Sequence, residues 1–257
     1  TGLVLYRGDC RASRRAIPAA RIESRCSGPR VVSWGLTGDV DWKVVQRIRR
    51  PWGSTVVLQG PQDETISLPI ELPGLHNALN VTGAALACRE LGQDWDSIIA
   101  RVPGYVGVRR RLERLGEWRG MTLLDDYAHH PTAVRTVLAT VREEFPQRPV
   151  RVVFQPHQTL RTETFLDGFA AALCGADRVA VLPAYAAREA DDAGAVDVSQ
   201  RLLSAIGRRG GQGEWIPSLD HVWETLETGG RPGDVIVLVG AGSLERIADE
   251  SSVRLRR

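Results

Sequence analysis

The sequence predicts an α/β protein whose second half forms a mostly parallel sheet with helices on both faces. From Gly120 onward, short β-branched runs alternate with longer segments of helical periodicity, as in consecutive strand–helix units. The first half instead carries closely spaced strand-like runs followed by two helical segments. The 257 residues, 43% hydrophobic and 25% charged, have a globular composition and fit one large domain or two ordinary ones.

Strands and turns are expected over the first 70 residues. Apolar or alternating runs, separated by glycines and by Asp or Asn residues, predict five strands there. These strands are expected at residues 2–6, 30–35, 43–49, 55–59 and 65–70. Pro73-Gly74 then ends the region, and the apolar spacing predicts helices over 76–91 and 94–102.

The second half alternates regularly between the two kinds of element. Strands are expected at residues 121–124, 150–154, 178–182 and 235–239. Helices are expected at residues 131–144, 162–173, 198–206, 219–226 and 244–249. Ligands of such sheets bind beyond the carboxyl ends of the strands, so the polar clusters that follow strands are the candidates for chemistry.

Charge and composition exclude several classes of protein. A net charge of only +2 provides no strong field for a nucleic acid. No apolar run approaches the ~18 residues of a membrane span, which predicts a soluble chain without a membrane partner. The four cysteines (Cys10, Cys26, Cys88 and Cys174) are far apart without a C-x-x-C pair, which argues against a zinc ribbon or a disulfide scaffold and favours reduced thiols in a cytoplasmic chain.

The only lysine, Lys43, lies in Asp41-Trp42-Lys43-Val44 without a preceding glycine loop. The phosphate-binding motif G-x-x-x-x-G-K-[ST] is therefore absent from this chain.

Asn77 and Asn80 form the first polar cluster. They lie three residues apart at a predicted helix start, so their side chains share one face. A carboxamide can pair bidentately with the N6 and N7 edge of adenine. Alternatively, Asn77 caps the helix and Asn80 is solvated.

Three consecutive arginines, Arg109, Arg110 and Arg111, form the second cluster, after a glycine-containing loop. Guanidinium groups can clamp a phosphate or a carboxylate through paired hydrogen bonds. A solvated edge of the protein is the alternative interpretation.

The third cluster, residues 125–131, follows a predicted strand and contains two aspartates, Tyr127, His129 and His130. An aspartate here can accept hydrogen bonds from ribose hydroxyls, and a histidine can move a proton near neutral pH. Adjacent histidines diverge and no further Cys or His stands at ligand spacing, which disfavours zinc. Asp125 as a helix N-cap is the plainer alternative.

The fourth cluster follows the next strand and contains His157 and Arg161. Parallel strands end at one edge of the sheet, and we expect these two strands to be neighbours. Tyr127, His129, His157 and Arg161 are therefore expected to converge at that edge. An arginine with histidines in a cleft suits a small carboxylate ligand that also has a nitrogen to deprotonate. A later pair of glycines, Gly240-Ala241-Gly242, indicates close packing more than dinucleotide binding.

Together these clusters resemble the Mur ligases, and within them the enzymes that use L-alanine. The matching motifs are Leu-Pro-Gly-x-His-Asn-x-x-Asn at 72–80, Gly-Val-x-Arg-Arg at 107–111, Asp-Asp-Tyr-x-His-His-Pro at 125–131, Phe-Gln-Pro-His at 154–157, Arg161-Thr162, and Gly-Ala-Gly at 240–242. The resemblance implies that residues 1–106 are the C-terminal part of the central, ATP-binding domain. It implies that residues 107–257 are the Rossmann-like C-terminal domain, which binds the amino acid.

The implied reaction is the ATP-dependent addition of L-alanine to UDP-N-acetylmuramate in peptidoglycan precursor synthesis, through an acyl phosphate. By position, the contacts of ATP would be Asn77 and Asn80 with adenine, Asp126 with the ribose, and Arg111 with the transferred phosphate. Arg111 and His129 would be catalytic. The alanine site would be lined by Tyr127, His129, His157 and Arg161, with Arg161 on the carboxylate.

The sequence also departs from the family pattern. Leu112 replaces a usual phenylalanine, Ala128 a common glycine, and Gln158-Thr159 an Arg-Tyr pair. The family's UDP-binding domain, its phosphate loop and its Mg²⁺-binding Glu and His have no counterpart here. The chain is therefore expected to be a C-terminal fragment that is inactive alone, with Mg²⁺ bound by the missing upstream part.

Two other interpretations remain open. A ligase that recycles a ready-made tripeptide shares the Asp-Asp-x-Ala-His-His-Pro motif, and Ala128 favours it, whereas residues 154–157 with Arg161 favour the alanine enzyme. A non-catalytic module that binds a nucleotide or an amino acid is the third.

Overall fold

The structure is a computed structural model that describes residues 2–23, 29–186 and 193–255. It divides into two compact units, Thr1–Val106 and Gly107–Arg257. Each unit has its own sheet and helices, and the mixed α/β fold class predicted from the sequence is confirmed. Cys10, Cys88 and Cys174 are free thiols, and Cys26 lies outside the described residues. Within the described ranges no helix is long and apolar enough to span a membrane.

The first unit contains a five-stranded sheet in the order β1-β2-β3-β4-β5. Its strands are β1 (Leu3–Arg7), β2 (Arg30–Gly35), β3 (Trp42–Arg50), β4 (Gly53–Gln59) and β5 (Thr65–Ile70). The first three strands pair in parallel and the last three pair as antiparallel hairpins. Its helices are α1 (Arg11–Glu23), α2 (Leu75–Glu90) and α3 (Trp95–Arg101).

The core of this unit lies between the sheet and α2. Leu58 and Leu68 from the sheet and Leu86 from α2 are fully buried in one cluster. Trp42 packs edge-on against Trp95 of α3, with ring centroids 5.2 Å apart. Asn77 and Asn80 lie near the start of α2.

The second unit contains a six-stranded sheet in the order β10-β9-β8-β11-β7-β6. Its strands are β6 (Glu113–Trp118), β7 (Met121–Asp126), β8 (Val150–Phe154), β9 (Arg178–Val181), β10 (Gly213–Trp215) and β11 (Val235–Val239). All neighbours are parallel except β6 and β7, so the predicted mostly parallel sheet is confirmed.

Helices cover this sheet. They are α4 (Pro131–Glu144), α5 (Thr159–Thr164), α6 (Leu166–Leu173), α7 (Ala193–Arg208), α8 (Val222–Gly229) and α9 (Glu245–Arg254). The single helix predicted over 162–173 is two helices, because the chain leaves helical geometry at Phe165 (φ −112°, ψ 21°).

The prediction that β7 and β8 are neighbours is wrong. β11 lies between them and pairs with both in parallel register. All five residues of β11 are buried, as expected for a central strand that is covered on both faces.

Candidate functional site

Four aromatic rings form a row beyond the carboxyl ends of β7 and β8. The ring of Tyr127 packs edge-on against His129 at a centroid distance of 5.4 Å. His129 lies 6.0 Å from His157, and His157 lies 5.7 Å from Tyr185. The rings of the row are all wholly or partly accessible to solvent. The row therefore provides an accessible surface of phenol and imidazole groups.

Short segments after three strands, β7, β8 and β9, carry this row. Tyr127 follows directly on β7, and His157 stands three residues beyond the end of β8. A backbone bridge joins the His157 segment to Tyr185: the amide of Gln158 donates to the Tyr185 carbonyl at 2.9 Å, and the amide of Tyr185 donates to the Pro156 carbonyl at 2.8 Å.

The loop after β11 runs close beneath this bridge. A Cβ at Gly242 would lie 2.6 Å from the Cβ of Tyr185, and one at Gly240, where φ is +156°, would lie 2.7 Å from the carbonyl oxygen of Gln155. The Gln155 side chain also accepts from the amide of Leu244 at 3.2 Å, which fixes the loop to the end of β8. The two glycines are thus needed for close packing.

Arg161 joins the row from α5. Its Nη1 lies 3.3 Å from Nδ1 of His157, one helical turn away, and its side chain is half-buried. The structure therefore brings Tyr127, His129, His157 and Arg161 together.

Arg110 and Arg111 hold the Tyr127 end of the row. Their guanidinium carbons lie 5.1 Å and 5.8 Å from the centroid of the Tyr127 ring, within cation–π distance. Arg111 is exposed, whereas Arg110 is 8% exposed. The backbone of Arg110 is left-handed (φ 60°), a conformation that costs free energy for a residue with a side chain.

The buried guanidinium of Arg110 ties three segments together. It donates to the carbonyl oxygen of Gly240 at 2.6 Å, to Oδ2 of Asp125 at 3.2 Å and to Oε2 of Glu245 at 3.4 Å. Sequence reasoning singled out Arg111 and missed this role of its neighbour. The sequence pattern does not distinguish the three adjacent arginines, because the backbone conformation decides which of them is buried.

Burial raises the pKa of both aspartates at the end of β7 to about 6. For Asp125, Arg110 opposes the effect of burial on the pKa. For Asp126, the opposing groups are the amides of Leu112 and Ala128, which donate to its carboxylate at 2.7 and 2.8 Å. Asp126 is thus buried and holds two backbone segments, and its contact with a ribose stays a prediction.

The alternative that Asp125 caps the following helix is wrong. The N-cap of α4 is His130, whose Nδ1 accepts from the amide of Thr132 at 3.3 Å. Pro131 occupies the first turn of that helix, where its missing N–H has no cost.

The two asparagines of the first unit differ in environment. The side-chain amide of Asn77 donates to the carbonyl oxygen of Pro73 at 2.9 Å, so it secures the turn before α2, whose N-cap residue is Gly74. Asn80, one turn later, is exposed. Among the described residues, no three His, Cys, Asp or Glu side chains are grouped to hold a metal ion.

Comparison with known proteins identifies the family. The sequence profile described as "Mur ligase, glutamate ligase domain" matches residues 110–242, just over half of the chain. The chain belongs to the Mur ligase family. The match covers the four aromatic residues of the row, Arg110, Arg111, Arg161 and both aspartates, and it ends before Leu244 and Glu245.

This Mur ligase chain is also similar to individual proteins. The UDP-N-acetylmuramate–L-alanine ligase of Mycolicibacterium vanbaalenii is 36% identical over 233 residues, which cover 87% of this chain and 47% of that protein. The chain thus spans about half the length of the curated relatives it matches.

Solved structures support the same fold. The UDP-N-acetylmuramate–alanine ligase of Thermotoga maritima superposes with a TM-score of 0.73 at 22% identity, over 88% of this chain and 48% of that one. A murein peptide ligase of Psychrobacter arcticus superposes with a TM-score of 0.65 at 21% identity, over 99% of this chain and 51% of that one.

Proposed function

We propose that this Mur ligase chain is part of an enzyme that joins L-alanine to UDP-N-acetylmuramate at the expense of ATP, in peptidoglycan synthesis. The observation that carries the proposal is the row of Tyr127, His129 and His157 with Arg161 beside it. A guanidinium suits the carboxylate of an amino acid, and an imidazole suits its amine. The relatives that match most of the chain are ligases of this specificity by name.

The proposed reaction proceeds in two steps. ATP phosphorylates the lactyl carboxylate of UDP-N-acetylmuramate, and the amine of alanine then attacks the acyl phosphate and displaces phosphate. Arg111 is proposed to stabilise the transferred phosphate, since preorganised donors at developing negative charge are commonly worth about 3–4 kcal/mol each. His129 is proposed to assist the attacking amine, and Tyr127, His157 and Arg161 to hold the amino acid.

For ATP, the proposed contacts are Asn77 and Asn80 with adenine and Asp126 with the ribose. Residues 1–106 are accordingly proposed to be the C-terminal part of the ATP-binding domain, and residues 107–257 the amino-acid-binding domain.

The described residues do not fit a Mg²⁺ site, so no step is assigned to that ion. Because the chain lacks a phosphate loop, we expect the 257 residues alone not to catalyse ligation.

The test is an assay of amino-acid-dependent phosphate release by the full-length protein with UDP-N-acetylmuramate and ATP. L-Alanine, glycine, L-serine and a tripeptide are compared. The proposal predicts the highest kcat/KM with L-alanine and little release with the tripeptide.

The second candidate is a ligase that recycles the tripeptide, which Ala128 favours, since that ligase shares the Asp-Asp-x-Ala-His-His-Pro motif. Preference for the tripeptide over alanine would establish it. Nucleotide binding without phosphate release under any of these conditions would instead indicate a non-catalytic module.

A further inference from the structure

The partner of His129 fixes the position of its proton. Its Nδ1 lies 2.9 Å from the carbonyl oxygen of Tyr127. A carbonyl oxygen can only accept a hydrogen bond, so Nδ1 must carry the hydrogen. A neutral imidazole has one N–H, and Nε2 of His129 is therefore the nitrogen that holds a lone pair.

The contact of His157 with Arg161 indicates the opposite arrangement. Its Nδ1 lies 3.3 Å from Nη1 of Arg161. A guanidinium has donors only and stays charged, so Nδ1 of His157 must accept. In the neutral ring the hydrogen then lies on Nε2.

We propose that the site holds its two imidazoles in opposite neutral tautomers, and that Nε2 of His129 takes the proton of the attacking amine. The second half of this proposal rests on the proposed function, whereas the first half depends only on the hydrogen bonds of Tyr127 and Arg161. Rings 6.0 Å apart thus have different chemical capacities: His129 can receive a proton at Nε2, and His157 carries one there.

The proton transfer is balanced within the site. One N–H bond of the alanine ammonium group breaks, its proton moves to Nε2 of His129, and the freed electron pair of the amine nitrogen forms the bond to the carbonyl carbon of the acyl phosphate. The bond from that carbon to the phosphate oxygen then breaks, and the departing phosphate takes the second proton from the nitrogen, which leaves the amide. The resulting imidazolium keeps its Nδ1–H bond to the Tyr127 carbonyl, whose oxygen stabilises the added positive charge. His157 is unsuited to this step, because its second proton would have to enter at Nδ1, opposite the Arg161 cation.

The tautomers can be measured without any assay of activity. Full-length protein labelled with ¹⁵N at histidine is studied by long-range ¹H–¹⁵N correlation at about pH 8, where ordinary imidazoles are neutral. His129→Gln and His157→Gln assign the signals. We expect a protonated Nδ1 for His129 and a protonated Nε2 for His157. The same nitrogen protonated in both rings would overturn the proposal.

A matched pair of variants tests whether Arg161 determines the tautomer of His157. Arg161→Met removes the donor at similar length, so the His157 ring should change to a mixture of tautomers while His129 keeps its pattern. Arg135→Met removes an exposed arginine of α4 and should leave both rings unchanged. A His157 pattern that survives Arg161→Met would contradict the assignment.

Kinetics test the role of His129 separately. In the full-length enzyme His129→Gln should lower kcat by about 100-fold or more, since a glutamine cannot carry the proton away. A kcat within a few-fold of wild type would exclude His129 as the proton acceptor. If the wild-type protein shows no alanine-dependent phosphate release, the proposed function fails, and the tautomer pair is then judged by the spectra alone.

Discussion

The imidazole rings of His129 and His157 lie 6.0 Å apart although β11 separates the two strands that lead to them. Adjacent strands are about 4.8 Å apart, so β7 and β8 are separated by roughly 10 Å. The rings approach more closely than their strands because the segments after β7 and β8 converge beyond the sheet. The loop that leaves β11 can pass close to them because Gly240 and Gly242 have no side chains.

Arg161→Ala should raise the KM of the full-length enzyme for L-alanine by about tenfold or more, because the carboxylate loses a charge-assisted hydrogen bond. The KM for ATP should remain near its wild-type value. Steady-state kinetics with each substrate varied measure both constants. Arg135→Ala, which removes an exposed arginine of the same unit, is the control. An unchanged KM for alanine would remove Arg161 from the binding site.

Substitutions of the two asparagines of α2 should have different effects on stability. Asn80 is exposed, and Asn80→Ala should weaken ATP binding by roughly 1–3 kcal/mol if it contacts the adenine edge. The side chain of Asn77 donates a hydrogen bond to the Pro73 carbonyl oxygen. Asn77→Ala should therefore weaken ATP binding and also lower the free energy of unfolding by about 1 kcal/mol. Calorimetric titration with ATP and urea denaturation measure the two effects. Wild-type ATP affinity in Asn80→Ala would contradict the assignment.

Arg110 and Arg111 should differ sharply in their effect on stability. Arg110→Met removes one partner of a buried ion pair, which typically costs about 3–5 kcal/mol of unfolding free energy. Arg111→Met removes an exposed guanidinium and should change the unfolding free energy by less than about 0.5 kcal/mol.

Asp125→Asn in the Arg110→Met background should restore part of that loss, since it removes the unpaired buried charge. Urea denaturation of wild type, Arg110→Met, Asp125→Asn and the double variant gives the coupling free energy between Arg110 and Asp125. Equal stability of Arg110→Met and Arg111→Met would refute the anchoring role of Arg110.

Stability should depend on pH through Asp125. Its pKa is raised from 3.8 to about 6 in the folded protein, mainly by burial. Below about pH 4 both folded and unfolded forms hold the proton, so this contribution to stability is complete. As the pH rises through about 6, the unfolded form has already released its proton and the folded form is forced to ionise a buried group.

The unfolding free energy of wild type should therefore fall, relative to Asp125→Asn, by up to about 3 kcal/mol between pH 4 and 7. Denaturation of both proteins across this range measures the difference. A difference that does not vary with pH would show that Asp125 keeps an ordinary pKa.

Secondary-structure elements with a strong local sequence signal were predicted at the correct residues. The strands β8 and β11 and the helix α4 occur at the predicted residues, because buried β-branched runs and a proline in the first helical turn are local signals. α1 was not predicted, since arginines and Pro18 interrupt its apolar pattern. β6 was not predicted either. It forms a hairpin with β7 through a two-residue turn, Arg119-Gly120, in which both residues have positive φ.

The site was predictable in its residue types and less so in its geometry. Tyr127, His129 and His157 were found because they follow strands, but strand order depends on pairing between distant segments, and so the position of β11 was not predicted. Tyr185 also follows a strand, β9, but it was missed because it stands between Ala184 and Ala186 and not in a polar cluster. A backbone bridge joins it to His157.

The most direct measurement of the central claim is a crystal structure of the full-length enzyme with its product, UDP-N-acetylmuramoyl-L-alanine. The account predicts the alanine carboxylate within hydrogen-bond distance of the Arg161 guanidinium, with the rings of Tyr127, His129 and His157 around the alanyl group. An alanyl group bound elsewhere, with these four side chains left facing solvent, would contradict it.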